Sequence, residues 1–230
     1  IQLGRGSIPN AVAAALTDKK DLGVHTEMFT TGIMNLMKAG VVTGRYKQVH
    51  REKAVCSFMI GSREMYDFVD DNPAVLVLDC NYVNDPRIIA RNDDQVSINT
   101  SLEVDITGQC CSESLGSRQF SGTGGQTDTA VGAQMSRNGR SIIALYSTAM
   151  VKDPVTGERK EASKIVTRLK EGAAVSLSRN DVNFVVTEYG MVDLKGASIA
   201  ERAKKLISIA HPAFREQLER EAYECGIVIR

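Results

Sequence analysis

The sequence has no excess of charge of either sign. Its 28 lysine and arginine residues balance 28 aspartate and glutamate residues, which gives a formal net charge of zero at pH 7. Such a chain has no overall field that would attract nucleic acid or an anionic membrane. No apolar run approaches the roughly 20 residues that a membrane-spanning helix needs, and the opening residues lack the pattern of a signal peptide. We therefore predict no nucleic-acid or membrane partner.

The cysteines and histidines lack the spacing of a disulfide framework or a zinc site. The five cysteines are odd in number and include no CxxC pair. Adjacent Cys110 and Cys111 are poor partners for an ordinary disulfide. This usage indicates a reducing, cytoplasmic compartment. His25, His50 and His211 are scattered without the spacing of zinc ligands, so no metal site is predicted.

Short apolar segments alternate with helical patterns along the chain. Residues 54–60 and 74–78 are continuous apolar runs, which suit strands that are buried on both faces. Ser198 and Glu201 form a capping box before a helical pattern. Further strands are predicted at residues 1–3, 22–26, 141–145, 174–177 and 184–187, a hairpin at 96–109, and a helix at 126–137. We predict an α/β domain with a mainly parallel or mixed sheet flanked by helices.

The opening of the chain has a pattern of its own. It begins with Ile1 rather than methionine, and its first residues have the pattern of a strand that enters a glycine turn. We expect from this opening that the sequence is part of a longer chain. Ser7 can serve as the N-cap of the following helix, with Pro9 in its first turn.

A glycine-rich segment, Ser-Gly-Thr-Gly-Gly-Gln at residues 121–126, precedes the predicted helix. Glycines let backbone amides approach a ligand closely, and successive amides at a helix N-terminus form an anion-binding concavity. The segment is not a Walker loop and does not complete GxGxxG. Its spacing alone fits a tight structural turn as well as a ligand-binding loop.

Three glutamates are candidate nucleophiles. Glu27 follows the predicted strand at 22–26, and ligands of open α/β sheets gather at the carboxyl ends of strands. A carboxylate there can attack an activated acyl group. Glu113 precedes the glycine-rich segment, and Glu188 follows another predicted strand. Each glutamate could equally be a solvated group or a hydrogen-bond acceptor, and His25 a packed strand histidine. Ser/His/Asp catalysis finds no support, because no GxSxG motif occurs.

Six segments resemble the C-terminal domain of the acetyl-CoA hydrolase/transferase family. They lie in the family's order and cover nearly the whole chain: IQLGRGSIPNAV at 1–12, LGVHTEMFTTG at 22–32, NYVNDP at 81–86, VSINTSLEVDITGQCCSESLGSRQFSGTGGQTD at 96–128, SRNDVNFVVTEYGMVDLKG at 178–196 and ERAKKLISIAHPAFRE at 201–216. Any one glycine motif would be weak, whereas the ordered set is specific.

The resemblance implies the roles of particular residues. It places the family's catalytic glutamate at Glu27 and the asparagine that orients this glutamate at Asn84. It also implies that Gly122, Thr123 and Gln126 lie against the acyl-CoA thioester as CoA- or substrate-binding residues.

The resemblance further implies an oxyanion hole built from backbone amides. One donor is expected at Gly124 or Gly125, and the second at Leu3 or Gly4 in the opening segment. The chain departs from the family at Arg5, where relatives often carry an apolar residue. This departure does not involve the reacting groups.

The resemblance implies a CoA-transferase that moves CoA between short-chain acyl-CoA and carboxylates such as acetate, butyrate or 4-hydroxybutyrate. Residues 1–230 would form the second of two similar α/β domains, with the first domain of the parent protein absent. Coenzyme A would be a substrate, no cofactor would be permanently bound, and the protein would form a homodimer or larger assembly. The alternatives are an acyl-CoA hydrolase on the same scaffold and a non-catalytic CoA-binding fragment.

Overall fold

The computed structural model describes residues 1–4, 6–152 and 156–228. Arg5, the departure from the family, lies outside the described residues. The chain folds into two compact units. The first comprises Ile1–Thr100 and Gly125–Ser141, and the second comprises Ser101–Gly124 and Ile142–Arg230. Both units combine helices with parallel strands, which confirms the predicted α/β class.

The first unit carries six helices and six complete strands within its described residues. The helices are α1 (Ser7–Ala15), α2 (Thr31–Lys38), α3 (Arg63–Val69), α4 (Cys80–Val83), α5 (Pro86–Ile89) and α6 (Gln126–Met135). The strands are β1 (Gln2–Leu3), β2 (Met28–Thr30), β3 (Ala54–Cys56), β4 (Phe58–Ile60), β5 (Val75–Val77) and β6 (Val96–Thr100). Strand β1 pairs in parallel with β6, β2 with β4, and β3 with β5.

The prediction of a strand at residues 22–26 was wrong. Leu22 makes a single bridge to Val42 and His25 a single bridge to Val55. Since the two bridges go to different neighbours, no continuous ladder forms over these five described residues. The strand of this region is β2, which begins one residue after Glu27.

Helix α1 begins differently from the prediction. Its N-cap is Gly6, with φ of 133°, and no side chain caps the helix. Ser7 is already the first helical residue, so its assignment as N-cap was wrong, whereas Pro9 lies in the first turn as expected. A positive φ of this size favours glycine, which explains why the chain turns at Gly6.

The core of the first unit forms around the apolar stripe of α2. Ile33, Met34 and Leu36 of this helix are each 1% exposed and pack with Phe29 of β2 and Met65 of α3. Apolar residues at this helical spacing turn one face of the helix toward the core. The packing fixes the segment that immediately follows Glu27.

The second unit carries two helices and ten strands within its described residues. The strands are β7 (Glu103–Asp105), β8 (Cys110–Cys111), β9 (Ser114–Leu115), β10 (Arg118–Gln119), β11 (Arg140–Ala144, whose first two residues belong to the first unit), β12 (Thr148–Lys152), β13 (Arg159–Ser163), β14 (Ile165–Val166), β15 (Phe184–Thr187) and β16 (Gly190–Asp193). The helices are α7 (Ile199–Ser208) and α8 (Pro212–Glu224). Strand β15 pairs in parallel with β11 and antiparallel with β16, so the sheet is mixed.

Several local predictions for the second unit are confirmed. The hairpin predicted at 96–109 is confirmed only in part: β7 and β8 form an antiparallel pair, whereas β6 is a separate strand that pairs in parallel with β1. Ser198 and Glu201 form the complete capping box of α7. His211 is the N-cap of α8, and its side chain accepts a hydrogen bond from Ala213 N. The strand predicted at 174–177 was wrong, because this segment makes only the bridge from Leu177 to Cys110 among its described residues.

All five cysteines are free thiols, as their spacing predicted. Cys56, Cys110 and Cys111 are buried, Cys80 is exposed and Cys225 is half-buried. Burial raises the pKa of the Cys56 thiol to about 11.

Candidate active site

Glu27 lies in the first unit, immediately before β2, and its side chain is half-buried. Its backbone carbonyl accepts hydrogen bonds from Ser57 N at 2.8 Å and Phe58 N at 3.2 Å. These two amides lie where β3 gives way to β4. The main chain at Glu27 is therefore fixed by the neighbouring strands, although Glu27 precedes a strand rather than following one.

Asn84 lies at the junction of two short helices. It is the C-cap of α4, and Asp85 is the N-cap of α5, with Pro86 at the first helical position. These caps make the turn sharp and hold Asn84 at its corner. Its side-chain Nδ2 donates a hydrogen bond to Glu27 Oε1 at 2.9 Å.

Gly125 is the N-cap of α6, and its amide points at the same carboxylate. The amide nitrogen lies 3.2 Å from both Glu27 Oε1 and Glu27 Oε2. A Cβ at this position would lie 2.6 Å from Asn84 Nδ2, so a side chain would displace the asparagine. The carboxylate thus lies at the positive end of the dipole of this helix. The close approach of Asn84 Nδ2 leaves room only for glycine at position 125.

A second glycine sets the distance between α5 and α6. A Cβ at Gly132 would lie 2.6 Å from Ile89 Cβ and 3.1 Å from Pro86 Cα. The missing side chain lets the two helices pack closely. Because Asn84 precedes α5 and Gly125 directly precedes α6, this packing brings both donors to Glu27.

Asp128, in the first turn of α6, was not singled out in the sequence. Burial raises its pKa, and the carboxylates of Glu27 and Asp85 raise it further. Glu27 and Asp85 therefore both lie within electrostatic range of Asp128 in this unit. The sequence signal for Asp128 is its position at the end of a segment that carries the family resemblance.

Of the two amides of the opening segment that were predicted as alternative oxyanion donors, Leu3 and Gly4, only the Leu3 amide is not used in pairing with β6. Gly4 N donates to Ile98 O at 2.8 Å and continues the pairing of β1 with β6. Amides alternate in direction along a strand. The Leu3 amide therefore points away from β6, to the side where Ile1 O accepts a hydrogen bond from His25 N at 3.1 Å.

The remaining residues of the glycine-rich segment are placed differently. Gly122, Thr123 and Gly124 belong to the second unit and are exposed. Gln126 belongs to the first unit, and its Nε2 donates to Thr100 O at 3.0 Å, which ties the start of α6 to the end of β6. Their role in binding CoA or substrate stays a prediction.

The two competing glutamates accept local hydrogen bonds in the second unit. Glu188 accepts from Ser147 N at 2.9 Å and from Ser147 Oγ at 2.6 Å. Burial opposes the charged form of Glu188, but these hydrogen bonds outweigh it and leave the pKa below its usual range. Glu113 Oε1 accepts from Gln119 Nε2 at 3.4 Å. Both glutamates thus have structural partners.

Two buried basic side chains surround the segment that carries Glu27. His25 is 2% exposed, and its Nε2 lies 2.8 Å from Val83 O. Lys47 is 7% exposed, and its Nζ donates to Val24 O and to Lys53 O, each at 2.7 Å. Burial lowers the pKa of Lys47 to about 7.

One sequence signal for this arrangement is Gly23. A Cβ there would lie 2.5 Å from Lys47 Cγ, so the glycine makes room for the lysine stem. Neither contact of Lys47 was predicted, since charged residues are rarely this buried.

Metal clusters and membrane-spanning helices are both absent from the described part of the chain. Over residues 1–4, 6–152 and 156–228, no three or more His, Cys, Asp and Glu side chains are grouped so as to hold a metal ion. Over the same ranges, no helix combines the length and the apolar character that crossing a membrane requires.

Comparison with known proteins bears on what this site does. Residues 61–222 match the family described as the acetyl-CoA hydrolase/transferase C-terminal domain. The 4-hydroxybutyrate coenzyme A transferase of Clostridium kluyveri is 49% identical over 221 residues, which cover 96% of this chain and 50% of that protein. The butyryl-CoA:acetate CoA-transferase of Anaerostipes caccae is 41% identical over 229 residues, covering 99% and 50%.

A solved structure has a closely similar fold. RipA from Yersinia pestis matches with a TM-score of 0.89 and 43% identity, over 99% of this chain and 49% of that one. Fold and relatives together define a domain of the CoA-transferase class. The chain belongs to the acetyl-CoA hydrolase/transferase family, and it spans about half the length of the relatives that it matches.

Proposed function

We propose that the protein is a CoA-transferase that exchanges CoA between a short-chain acyl-CoA and a carboxylate such as acetate, butyrate or 4-hydroxybutyrate. The observation that carries this proposal is the Glu27 carboxylate, which accepts hydrogen bonds from Asn84 Nδ2 and Gly125 N. A carboxylate held in this way is suited to act as a nucleophile on a thioester. The names of the relatives support the same reaction.

The reaction would begin with attack by Glu27 on the thioester carbonyl carbon of the donor. Oε1 has two donors and Oε2 has one, so Oε2 is the freer oxygen and is the proposed attacking atom. A bond forms between Oε2 and the acyl carbon, and the C–S bond breaks to release CoA thiolate. The product is a mixed anhydride between Glu27 and the donor acid.

CoA thiolate would then attack Cδ of Glu27. The S–C bond forms, the bond from Cδ to the donor carboxylate breaks, and a glutamyl-CoA thioester remains. Negative charge develops on Oε1 in this step, and Oε1 already faces the amides of Asn84 and Gly125. Fixed amides at a developing oxyanion lower the barrier without proton transfer. An acceptor carboxylate repeats the two steps in reverse and leaves as its CoA ester.

The first addition needs other donors for the oxygen of the substrate carbonyl. Within the first unit, the amides of Gly4 and Gly125 already have acceptors, so the amide of Leu3 is the proposed donor of this unit. Glycines beside such a site let the main chain approach the acyl group.

The proposal extends to the protein as a whole. Because relatives are about twice as long as this chain, we propose that residues 1–230 act as the C-terminal domain of a two-domain enzyme. Its partners would be acyl-CoA, a short-chain carboxylate and a second copy of the protein, in the cytoplasm. Coenzyme A would be a substrate, with no permanently bound cofactor.

The test is to trap the covalent intermediate in the complete gene product that contains this chain. The protein is incubated with butyryl-CoA, treated with borohydride, digested and analysed by mass spectrometry. We expect one glutamate reduced to an alcohol, at Glu27. Glu27→Gln should abolish both the modification and CoA exchange, whereas the matched variant Glu188→Gln should keep them. A reduced residue elsewhere, or an active preparation with no reduced glutamate, would overturn the assignment.

A hydrolase is the second candidate, because the matched family also includes acetyl-CoA hydrolases by its description. In that case water would intercept the glutamyl-CoA thioester. Added acetate separates the two functions: a transferase forms acetyl-CoA, whereas a hydrolase releases free CoA at a rate that does not depend on acetate.

A further inference from the structure

The side chain of His25 connects the two segments that carry Glu27 and Asn84. Its ring is 2% exposed, and Nε2 lies 2.8 Å from the carbonyl oxygen of Val83. His25 precedes Glu27 by two residues, and Val83 immediately precedes Asn84. The reaction steps above do not use this histidine.

The His25 link and the Asn84 link join the same two stretches of chain. One runs from His25 to Val83, and the other runs from Asn84 Nδ2 to Glu27 Oε1 at 2.9 Å. Two hydrogen bonds between the same two segments fix both the position and the orientation of Asn84. A single hydrogen bond would leave the asparagine free to rotate about it. The side chain of Asn84 is only as well placed as the backbone that carries it.

The protonation state of His25 suits this connection. Burial, together with the positive charge of the nearby Lys47, lowers the pKa of His25 to about 4. The ring is therefore neutral near pH 7. A carbonyl oxygen can only accept a hydrogen bond, so Nε2 must carry the proton and Nδ1 must be bare. Nδ1 is buried and has no partner among the described atoms.

The backbone on the other side of the link is held as well. Lys47 donates to the carbonyl oxygen of Val24, the residue before His25, and Val55 N donates to the same oxygen at 3.1 Å. Gln95 Nε2 donates to His25 O at 3.3 Å. The histidine therefore transmits the position of a fixed segment to the corner where α4 meets α5.

We propose that His25 is a positioning residue, which places Asn84 for its contact with Glu27 through the hydrogen bond from Nε2 to Val83 O. The kinetic part of this proposal rests on the proposed function of Glu27. The structural part, that His25 holds the corner at Val83 and Asn84, stands independently.

Two substitutions of His25 separate the hydrogen bond from the space that the ring fills. In His25→Gln the amide nitrogen reaches about as far as Nε2 and can still donate to Val83 O. In His25→Asn the amide reaches only as far as Nδ1, and the link is lost. Both are made in the complete gene product. Val41→Ala serves as a control, because Val41 is a buried core residue of the same unit, 4% exposed, without a role in the link.

Steady-state kinetics give the first measurement. We expect His25→Asn to lower kcat about 100-fold, because a small misplacement of a reacting group has effects of this size. KM for acyl-CoA should change by less than about threefold, since no substrate contact is removed. His25→Gln should restore most of kcat. Val41→Ala should lower the melting temperature and leave kcat within about threefold of the unmodified protein.

Hydrogen–deuterium exchange of the peptide that covers residues 79–89 gives the second measurement. Exchange should be faster in His25→Asn than in the unmodified protein, and His25→Gln should restore protection. If the unmodified protein transfers no CoA but the hydrogen–deuterium exchange of the variants differs as expected, the proposed function fails and the hydrogen bond from His25 to Val83 is supported. Equal hydrogen–deuterium exchange in all variants would overturn the proposal. So would an equal loss of kcat in the two histidine variants, or a loss of kcat in Val41→Ala as large as that in His25→Asn.

Discussion

The absence of a side chain at Gly125 matters more to the site than the flexibility of glycine does. Its φ is −79°, which any residue can adopt, yet a Cβ would lie 2.6 Å from Asn84 Nδ2. The residue is therefore glycine because of close packing. This distinguishes it from Gly122 in the same segment, where a Cβ would meet nothing within 4 Å.

The two glycines form a matched pair of tests. We expect Gly125→Ala to displace Asn84 and to lower kcat/KM by about 100-fold, as the loss of a fixed donor does in other enzymes. Gly122→Ala meets no protein atom within 4 Å and should leave Asn84 in place, so a fall in kcat/KM there would report contact with bound CoA or substrate instead. Unchanged kcat/KM in Gly125→Ala would show that the packing at Asn84 does not matter.

A buried lysine makes stability depend on pH in an uncommon direction. Burial lowers the pKa of Lys47 from 10.5 to about 7, so between these values the unfolded chain binds a proton that the folded chain does not. The free energy of unfolding therefore rises with pH over this range, by at most about 1.4 kcal/mol per pH unit. Below pH 7 both states are protonated and the contribution levels off.

Lys47→Met should remove this contribution. We expect the free energy of unfolding to rise from pH 7 to pH 9 in the unmodified protein and to rise less in the variant. Denaturant titrations at the two pH values measure it, and the difference between the proteins cancels groups that titrate in both. Identical slopes for the two proteins would mean that Lys47 does not lose its proton in the folded state.

Individual residues differ in how far sequence reasoning could predict them. Glu27, Asn84 and Gly125 lie in segments that carry the family resemblance, and the structure brings them within hydrogen-bonding distance. The contacts of His25 and Lys47 could not be predicted. They depend on burial and on backbone carbonyls that are 58 and 23 residues away in sequence.

At the scale of elements, the close packing of α5 and α6 aligns the donors of the site. Gly132 lies inside α6, where alanine would ordinarily stabilise the helix by about 1 kcal/mol. Here its Cβ would lie 2.6 Å from Ile89 Cβ and 3.1 Å from Pro86 Cα, a backbone atom. The steric effect should outweigh the gain in helix propensity, since overpacking a core costs about 1–3 kcal/mol.

We therefore expect Gly132→Ala to lower the melting temperature and the rate of CoA exchange together. Thermal unfolding and steady-state kinetics on the same preparation measure both. Met135→Ala, at an exposed position of the same helix, should change neither by much. A more stable Gly132→Ala protein would show that the helices can separate without penalty.

The predictions of helices, strands and turns succeeded where the sequence pattern depended on residues close together in the chain. The capping box of α7 and the turn between β7 and β8 are local in sequence, and both are confirmed. The strand predicted at 22–26 failed because the bridges of Leu22 and His25 go to two separate neighbours. Alternation of residue types cannot reveal which neighbours a segment will meet.

At the scale of the whole molecule, the chain matches about half the length of its relatives, so the complete gene product is the form to assay. A transferase that lacks an acceptor carboxylate should stop after one half-reaction. We expect butyryl-CoA to yield one butyrate per Glu27 without free CoA, in a single burst. Continued release of CoA after the burst would identify a hydrolase instead.

The exposure of Cys80 has a practical consequence for following such a half-reaction. Three of the other four cysteines are buried and Cys225 is intermediate. A thiol must be accessible to react with an alkylating reagent. Within this chain, Cys225→Ser would then leave Cys80 as the single attachment point for a fluorophore.

Cys80 O accepts the backbone amide of Asn84 at 2.8 Å, so the dye would sit one helical turn from the asparagine that contacts Glu27. Its emission would report a shift of that corner as the carboxylate becomes first an anhydride and then a thioester. The chain thus provides, without any introduced cysteine, an optical reporter that could resolve acylation and CoA transfer in time on a stopped-flow instrument.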